Sequence, residues 1–125
     1  MVDPLSFKAS ITLTAQRILT MLTSTADTIK LAAAVSECPI GIGLDNVLDT
    51  GAACPVAGPG SIAPLFFNDT IASGRLVASD ASGRGVLHAD ITAGSYIVGI
   101  LVGPTVAATG TIADVLVMPF FKSIP

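Results

Sequence analysis

From Ile40 onward the chain is cut into short apolar runs by turn signals that recur roughly every eight to twelve residues, the spacing of a small all-β domain. Ile40-Gly-Ile-Gly-Leu44 is an apolar strand carrying glycines, and Asp45 to Gly51 is a polar loop. Ala53 to Val56 continues apolar, interrupted by Pro55, and Gly58-Pro-Gly60 is a firm turn. Ile62 to Phe67 is another short run, closed by Asn68-Asp-Thr70. That triplet is formally a glycosylation sequon, which has no meaning without secretion. Tyr96-Ile-Val-Gly-Ile-Leu-Val102 is the strongest strand, and Thr109-Gly110 precedes the last one, Ile112 to Met118.

Before residue 40 the pattern is looser. Ser10-Ile-Thr-Leu-Thr14 alternates as a half-buried strand does, and Arg17 to Thr23 is a second candidate. Thr28-Ile-Lys-Leu31 alternates again. Asp27 at its start is also placed to cap a short helix running into Ala32-Ala-Ala-Val35, but the Thr and Ile content favours a strand.

The stretch Arg75-Leu-Val-Ala-Ser-Asp-Ala-Ser-Gly-Arg-Gly-Val-Leu-His88 reads as a hairpin. Asp80 starts the turn through its side chain, and Gly83 takes the left-handed conformation that closes it. Leu76, Val77, Val86 and Leu87 put apolar side chains on both faces, so the hairpin belongs inside a barrel, a sandwich or an assembly. An internal echo runs through the chain. Val98-Gly99-Ile100 and Thr109-Gly110 repeat Ile40-Gly41-Ile42 and Thr50-Gly51, at offsets of 58 and 59 residues, as one β-unit used twice would.

The fold expected is therefore an all-β, single-domain barrel or sandwich of short antiparallel strands. A short N-terminal arm (1–9), a β-domain (10–118) and an apolar C-terminal tail (119–125) divide the 125 residues. Only 12% of residues are charged, against about 25% in an average soluble protein, while 51% are hydrophobic. Part of the surface must then be neutral, and neutral surface on a small domain marks a contact face.

Composition also narrows function. The net charge is −3 and the six basic residues are scattered, so nucleic acid is excluded as a partner. The N-terminus has none of the features of a secretory signal. The uncharged run 91–113 is broken by four glycines and a proline, which argues for turns between strands and against a membrane helix. Cys38 and Cys54 fit no zinc or CxxC spacing; they read as two buried thiols, with one disulfide as the other reading.

Catalytic residues are wanting. His88 is the one histidine, Glu37 the one glutamate, and Asp45 and Asp49 share a loop without EF-hand spacing. Gly41-Ile-Gly43 lacks a third glycine at Asn46, and no Walker loop or GxSxG occurs. The expectation is a protein that is not an enzyme, with no catalytic, cofactor or metal site.

The order of several segments resembles small phage head-decoration, or cement, proteins. They are Thr28-Ile-Lys-Leu-Ala-Ala-Ala34, Pro39-Ile-Gly-Ile-Gly43 with its acidic loop, and Ile71 to Gly83. Tyr96-Ile-Val-Gly-Ile100 and Ala108-Thr-Gly110 with the last strand complete the match, over roughly 10–118. The resemblance implies a barrel-like protein, made in the host cytoplasm, that binds the outer surface of an icosahedral capsid. There it would cluster, as a homotrimer or a dimer, and staple subunits of the major capsid protein together. It carries over no catalytic residue. In place of the long Pro-rich leader of the lambda-like type the chain has only a short arm.

Candidate contacts are therefore the two ends. Val2, Leu5 and Phe7 are placed to lie along a capsid strand edge; Phe120, Phe121 and Ile124 are placed to pack on a neighbour or on the chain's own core. The other class considered is a virion fibre-associated or receptor-binding β-module. One Tyr and no Trp are poor equipment for receptor contact.

Overall fold

The computed structural model describes residues 5–10, 12–22, 26–32, 38–47, 49–87, 95–106 and 108–122. Among them there is no helix. Ten strands follow one another: β1 (Leu5–Ala9), β2 (Ile18–Met21), β3 (Thr28–Leu31), β4 (Pro39–Gly43), β5 (Ala53–Ala57), β6 (Ile62–Phe66), β7 (Leu76–Ser79), β8 (Gly85–Leu87), β9 (Ser95–Leu101) and β10 (Ile112–Lys122). The fold is all-β, as expected, but it contains two sheets of five strands. The first closes into a barrel in the order β1-β3-β2-β4-β5; the second runs β6-β10-β9-β7-β8. Pairing is antiparallel except between β1 and β3, which run parallel. Closure removes the free edges that make short strands prone to wrong pairing.

Three expectations are corrected. The arm is, from Leu5 onward, strand β1: it pairs with β5 on one side and β3 on the other, and so closes the first barrel. Removing residues 1–9 would open that barrel. The apolar tail is, as far as Lys122, the end of β10, still paired with β9 at Phe120, Phe121 and Lys122. The described residues of the Ser10 to Thr14 run form no strand, and Leu13 makes a single bridge to Val47; Ile11 lies outside the described residues. Asp27 lies at φ 56° in the turn leading into β3 and caps no helix there; residues 33–37 lie outside the described residues.

The echo is a structural repeat. β1–β5 and β6–β10 have the same order, and equivalent bonds recur about 58 residues apart. Gly43 N donates to Arg17 O (3.0 Å) as Leu101 N donates to Arg75 O (3.0 Å). Leu44 N donates to Pro55 O (3.0 Å) as Val102 N donates to Asp114 O (3.1 Å). Gly51 N donates to Ala9 O (2.7 Å) as Gly110 N donates to Phe67 O (2.8 Å). The bridge Leu13–Val47 returns as Ile71–Val106. The parallel pair β1–β3 is reduced in the second unit to one parallel bridge, Phe67–Gly85.

The cores repeat as well. Leu13, Leu19, Val47, Cys54 and Val56 fill the first barrel, and Ile71, Val77, Val106, Ala113 and Val115 hold the matching positions in the second unit. One layer exchanges its volumes. Ala9 faces Ile29 in the first unit, where Phe67 faces Gly85 in the second. A large and a small residue change places, and the space is filled either way. Ile18, Ile42 and Ala57 point out of the first barrel and join the core of the second unit, so the two units are joined by apolar packing.

Candidate functional site

The β7–β8 hairpin carries the densest polar cluster among the described residues. Asp80 Oδ1 accepts from Ser82 N (2.8 Å) and Arg84 N (2.9 Å). Its Oδ2 accepts from Arg84 Nε (2.8 Å) and Asn68 Nδ2 (3.2 Å). Gly83 takes φ 75°, as its place in the turn requires, and its carbonyl accepts from Ile18 N of the first unit at 2.6 Å. Next door Asp69 accepts from Leu87 N (3.1 Å) and from Thr70 N (2.8 Å). Each of these four carboxylate oxygens accepts a hydrogen bond from within the second unit. Asp80→Ala removes the acceptor of two backbone N–H groups and is expected to cost about 1–2 kcal/mol, read by urea unfolding. An unchanged midpoint would show that the turn forms without its carboxylate.

Arg17 spans the joint between the units. Its guanidinium lies 4.4 Å from the centroid of the Phe66 ring, and Nη1 donates to Ala15 O (3.2 Å). Burial lowers its pKa, the Arg84 charge lowers it further, and Asp80 opposes both. Phe66 N in turn donates to Gln16 O (2.9 Å). These groups bind one unit to the other and present no reactive atom.

Elsewhere the chemistry stays sparse. Among the described residues no three His, Cys, Asp or Glu side chains come together. Asp45 and Asp49 lie exposed in the loop before β5, and Asn46 Oδ1 accepts from Ala15 N (2.8 Å). His88 and Glu37 lie outside the described residues. Both cysteines are free. Cys54 is buried, and burial pushes its thiol pKa up, with the Asp45 charge adding. Cys38 is exposed where the chain enters β4, so the expectation of two buried thiols holds for Cys54 alone. A surface hollow of about 350 Å³ beside β1 is lined by Ser6, Phe7, Lys8, Asp27, Gly51 and Ala53. Ser6, Lys8 and Asp27 bring no histidine or thiol to it, and no pair of carboxylates.

The structure separates the candidate contact residues. Leu5 is 43% exposed on β1, while Phe7 is half-buried against the first core. Phe120 is exposed near the end of β10, and Phe121 is a backbone position there, opposite Tyr96. Val2 and Ile124 lie outside the described residues. What the sequence reading missed is an apolar outer face on the second sheet. Ile62 is 56% exposed and sits opposite half-buried Leu116, and Ile112 is exposed opposite Phe66. The signal lay in β10, where buried Ala113, Val115 and Val117 alternate with Ile112, Asp114, Leu116 and Met118: the outer face is apolar but for Asp114, and it is only partly covered.

No protein family and no curated protein matches the chain. A solved structure does. The fold is that of the N base of the head fibre gp8.5 of bacteriophage phi29. The likeness has a TM-score of 0.70 at 18% identity and covers 94% of each chain. At that identity it establishes the fold, two units included.

Proposed function

We propose that this protein is a structural component of a phage virion, seated on the outer surface of the head against the major capsid protein. The observation that carries this is the likeness over almost the whole chain to the base of a phage head fibre. Two features agree with it. Asp80 is spent on its turn and Arg17 on the joint between units, and the second sheet offers an outer face that is apolar but for Asp114, which suits contact and not catalysis.

Within that reading the finer role proposed is cement: a protein that binds the expanded shell and stabilises it by mass action. Binding only the assembled state contributes RT ln(1 + [L]/Kd), about 2.7 kcal/mol per site at a hundredfold excess over Kd. Clustering as a homotrimer would place several such contacts at one position on the shell. Fibre base is the second reading, favoured by what the phi29 protein is. Co-sedimentation of the full chain with expanded shells and with unexpanded procapsids tests both. Saturable binding to expanded shells with a raised shell melting temperature is the expected result. Binding that leaves the melting temperature where it was favours the fibre base, and binding to neither shell overturns the head-surface reading.

A further inference from the structure

Equivalent positions of the two units are not equally buried, and the differences trace a joint. On the first barrel Ile18, Ile42 and Ala57 form one cross-strand row on the outer face, at 0%, 0% and 3% exposure, because the second unit covers them. Their equivalents, Leu76, Ile100 and Leu116, form the same row across β7, β9 and β10, still apolar but only half-buried. The receiving side shows the converse. Ala63, Leu65 and Val98 of the second unit are at most 1% exposed and share a core with the first unit's row. Their equivalents in the first unit are Leu5, at 43%, and half-buried Phe7 and Ile40.

The joint inside the chain is thus head to tail: an outer row of one unit sits on the β1-type strand and the β4-type strand of the next. A two-fold contact would have buried both rows alike. Among the described residues the chain satisfies this joint once and leaves one copy of each half only partly covered: the half-buried row on the second unit and, on the first, exposed Leu5 beside Phe7 and Ile40, which rest half-buried on the first core. We infer that a second copy of this chain completes the joint, with Leu76, Ile100 and Leu116 of one copy seated on Leu5, Phe7 and Ile40 of the next. What covers the row within the chain is a unit of this same fold, and a second copy supplies another such unit, with exposed Leu5 and half-buried Phe7 and Ile40 at the matching positions. Head-to-tail contacts propagate until they close into a ring. The inference gives a geometry to the self-association proposed above but does not depend on the shell, so failure to bind capsids would leave it standing.

Sedimentation velocity on the full chain tests it, with Leu116→Glu on the row and Leu5→Glu on the receiving surface. Leu76→Glu serves as a second row variant, and circular dichroism checks that each is folded. The wild type is expected to associate, and each variant alone to stay monomeric. A one-to-one mixture of Leu116→Glu and Leu5→Glu is expected to form a dimer. Each mixed pair retains one intact row and one intact receiving surface, on different copies. A wild type that stays monomeric at its highest soluble concentration overturns the inference. So does a mixture that stays monomeric, which is what a two-fold contact or an unrelated interface would give.

Discussion

Gly99→Ala is expected to unfold the protein or leave it barely folded at room temperature. A Cβ built at Gly99 falls 2.0 Å from Leu116 O and 3.0 Å from Leu116 C, both backbone atoms of the paired strand. A backbone carbonyl cannot rotate aside as a side-chain tip can. β9 and β10 would have to separate where Val115, Val117 and Leu101 are wholly buried. Separation there breaks ladder bonds and opens the core at once, at a cost of about 4 kcal/mol or more, a large share of the 5–15 kcal/mol typical of a domain. Gly41→Ala meets the same obstacle in the first barrel, where Ala57 O lies 2.0 Å from the added carbon. Gly51→Ala is the control. Nothing lies within 4 Å of its Cβ position and only its φ of 86° resists the change, so about 1 kcal/mol is expected. Urea unfolding of the three variants separates contact from conformation. If Gly99→Ala proved as mild as Gly51→Ala, the close approach of β9 and β10 would be wrong.

Those two glycines were also the most legible part of the architecture. A strand interior tolerates glycine poorly, so its return after 58 residues between β-branched neighbours has a cause, and the cause is backbone crowding in each unit. Strand positions from Ile40 on were legible for a similar reason: Gly58-Pro-Gly60 and Asp80 to Gly83 dictate local geometry whatever surrounds them. β1 was not, because Leu5 to Ala9 owes its strand conformation to partners on both sides, β3 and β5, and not to its own pattern. The extension of β10 past Pro119 was hidden by a proline that donates no ladder bond. The register shift between Val117 and Phe120 accommodates it, and pairing then resumes. Of the proposed contact surface, the ends were legible as apolar. The row Leu76, Ile100 and Leu116 was not, since its equivalents Ile18, Ile42 and Ala57 look the same in sequence and are buried. Which of two apolar rows stays uncovered is decided by how the units pack, and no local pattern carries that.

The exchanged core layer gives the other large expected effect, and the one that tests the repeat most directly. Phe67 is fully buried and the bulkiest of the core side chains, so Phe67→Ala should cost about 3–5 kcal/mol. Gly85→Ile should be as damaging for the opposite reason. A Cβ at Gly85 lies 2.7 Å from Cδ1 and Cε1 of Phe67 and 2.8 Å from Cδ2 of Leu65. Made together, the two changes rebuild the Ala9–Ile29 layer of the first barrel at the matching place in the second. Neighbours that share one space are not additive, and a coupling of about 2 kcal/mol or more toward stability is expected in a double-mutant cycle followed by urea unfolding. The sign matters more than the size. A double variant more stable than either single one would mean that the two units hold the same layer with its volumes exchanged. A double variant as unstable as the sum of the two would mean that Phe67 and Gly85 do not share a space, and the equivalence of β1–β3 with β6–β8 would fall with it.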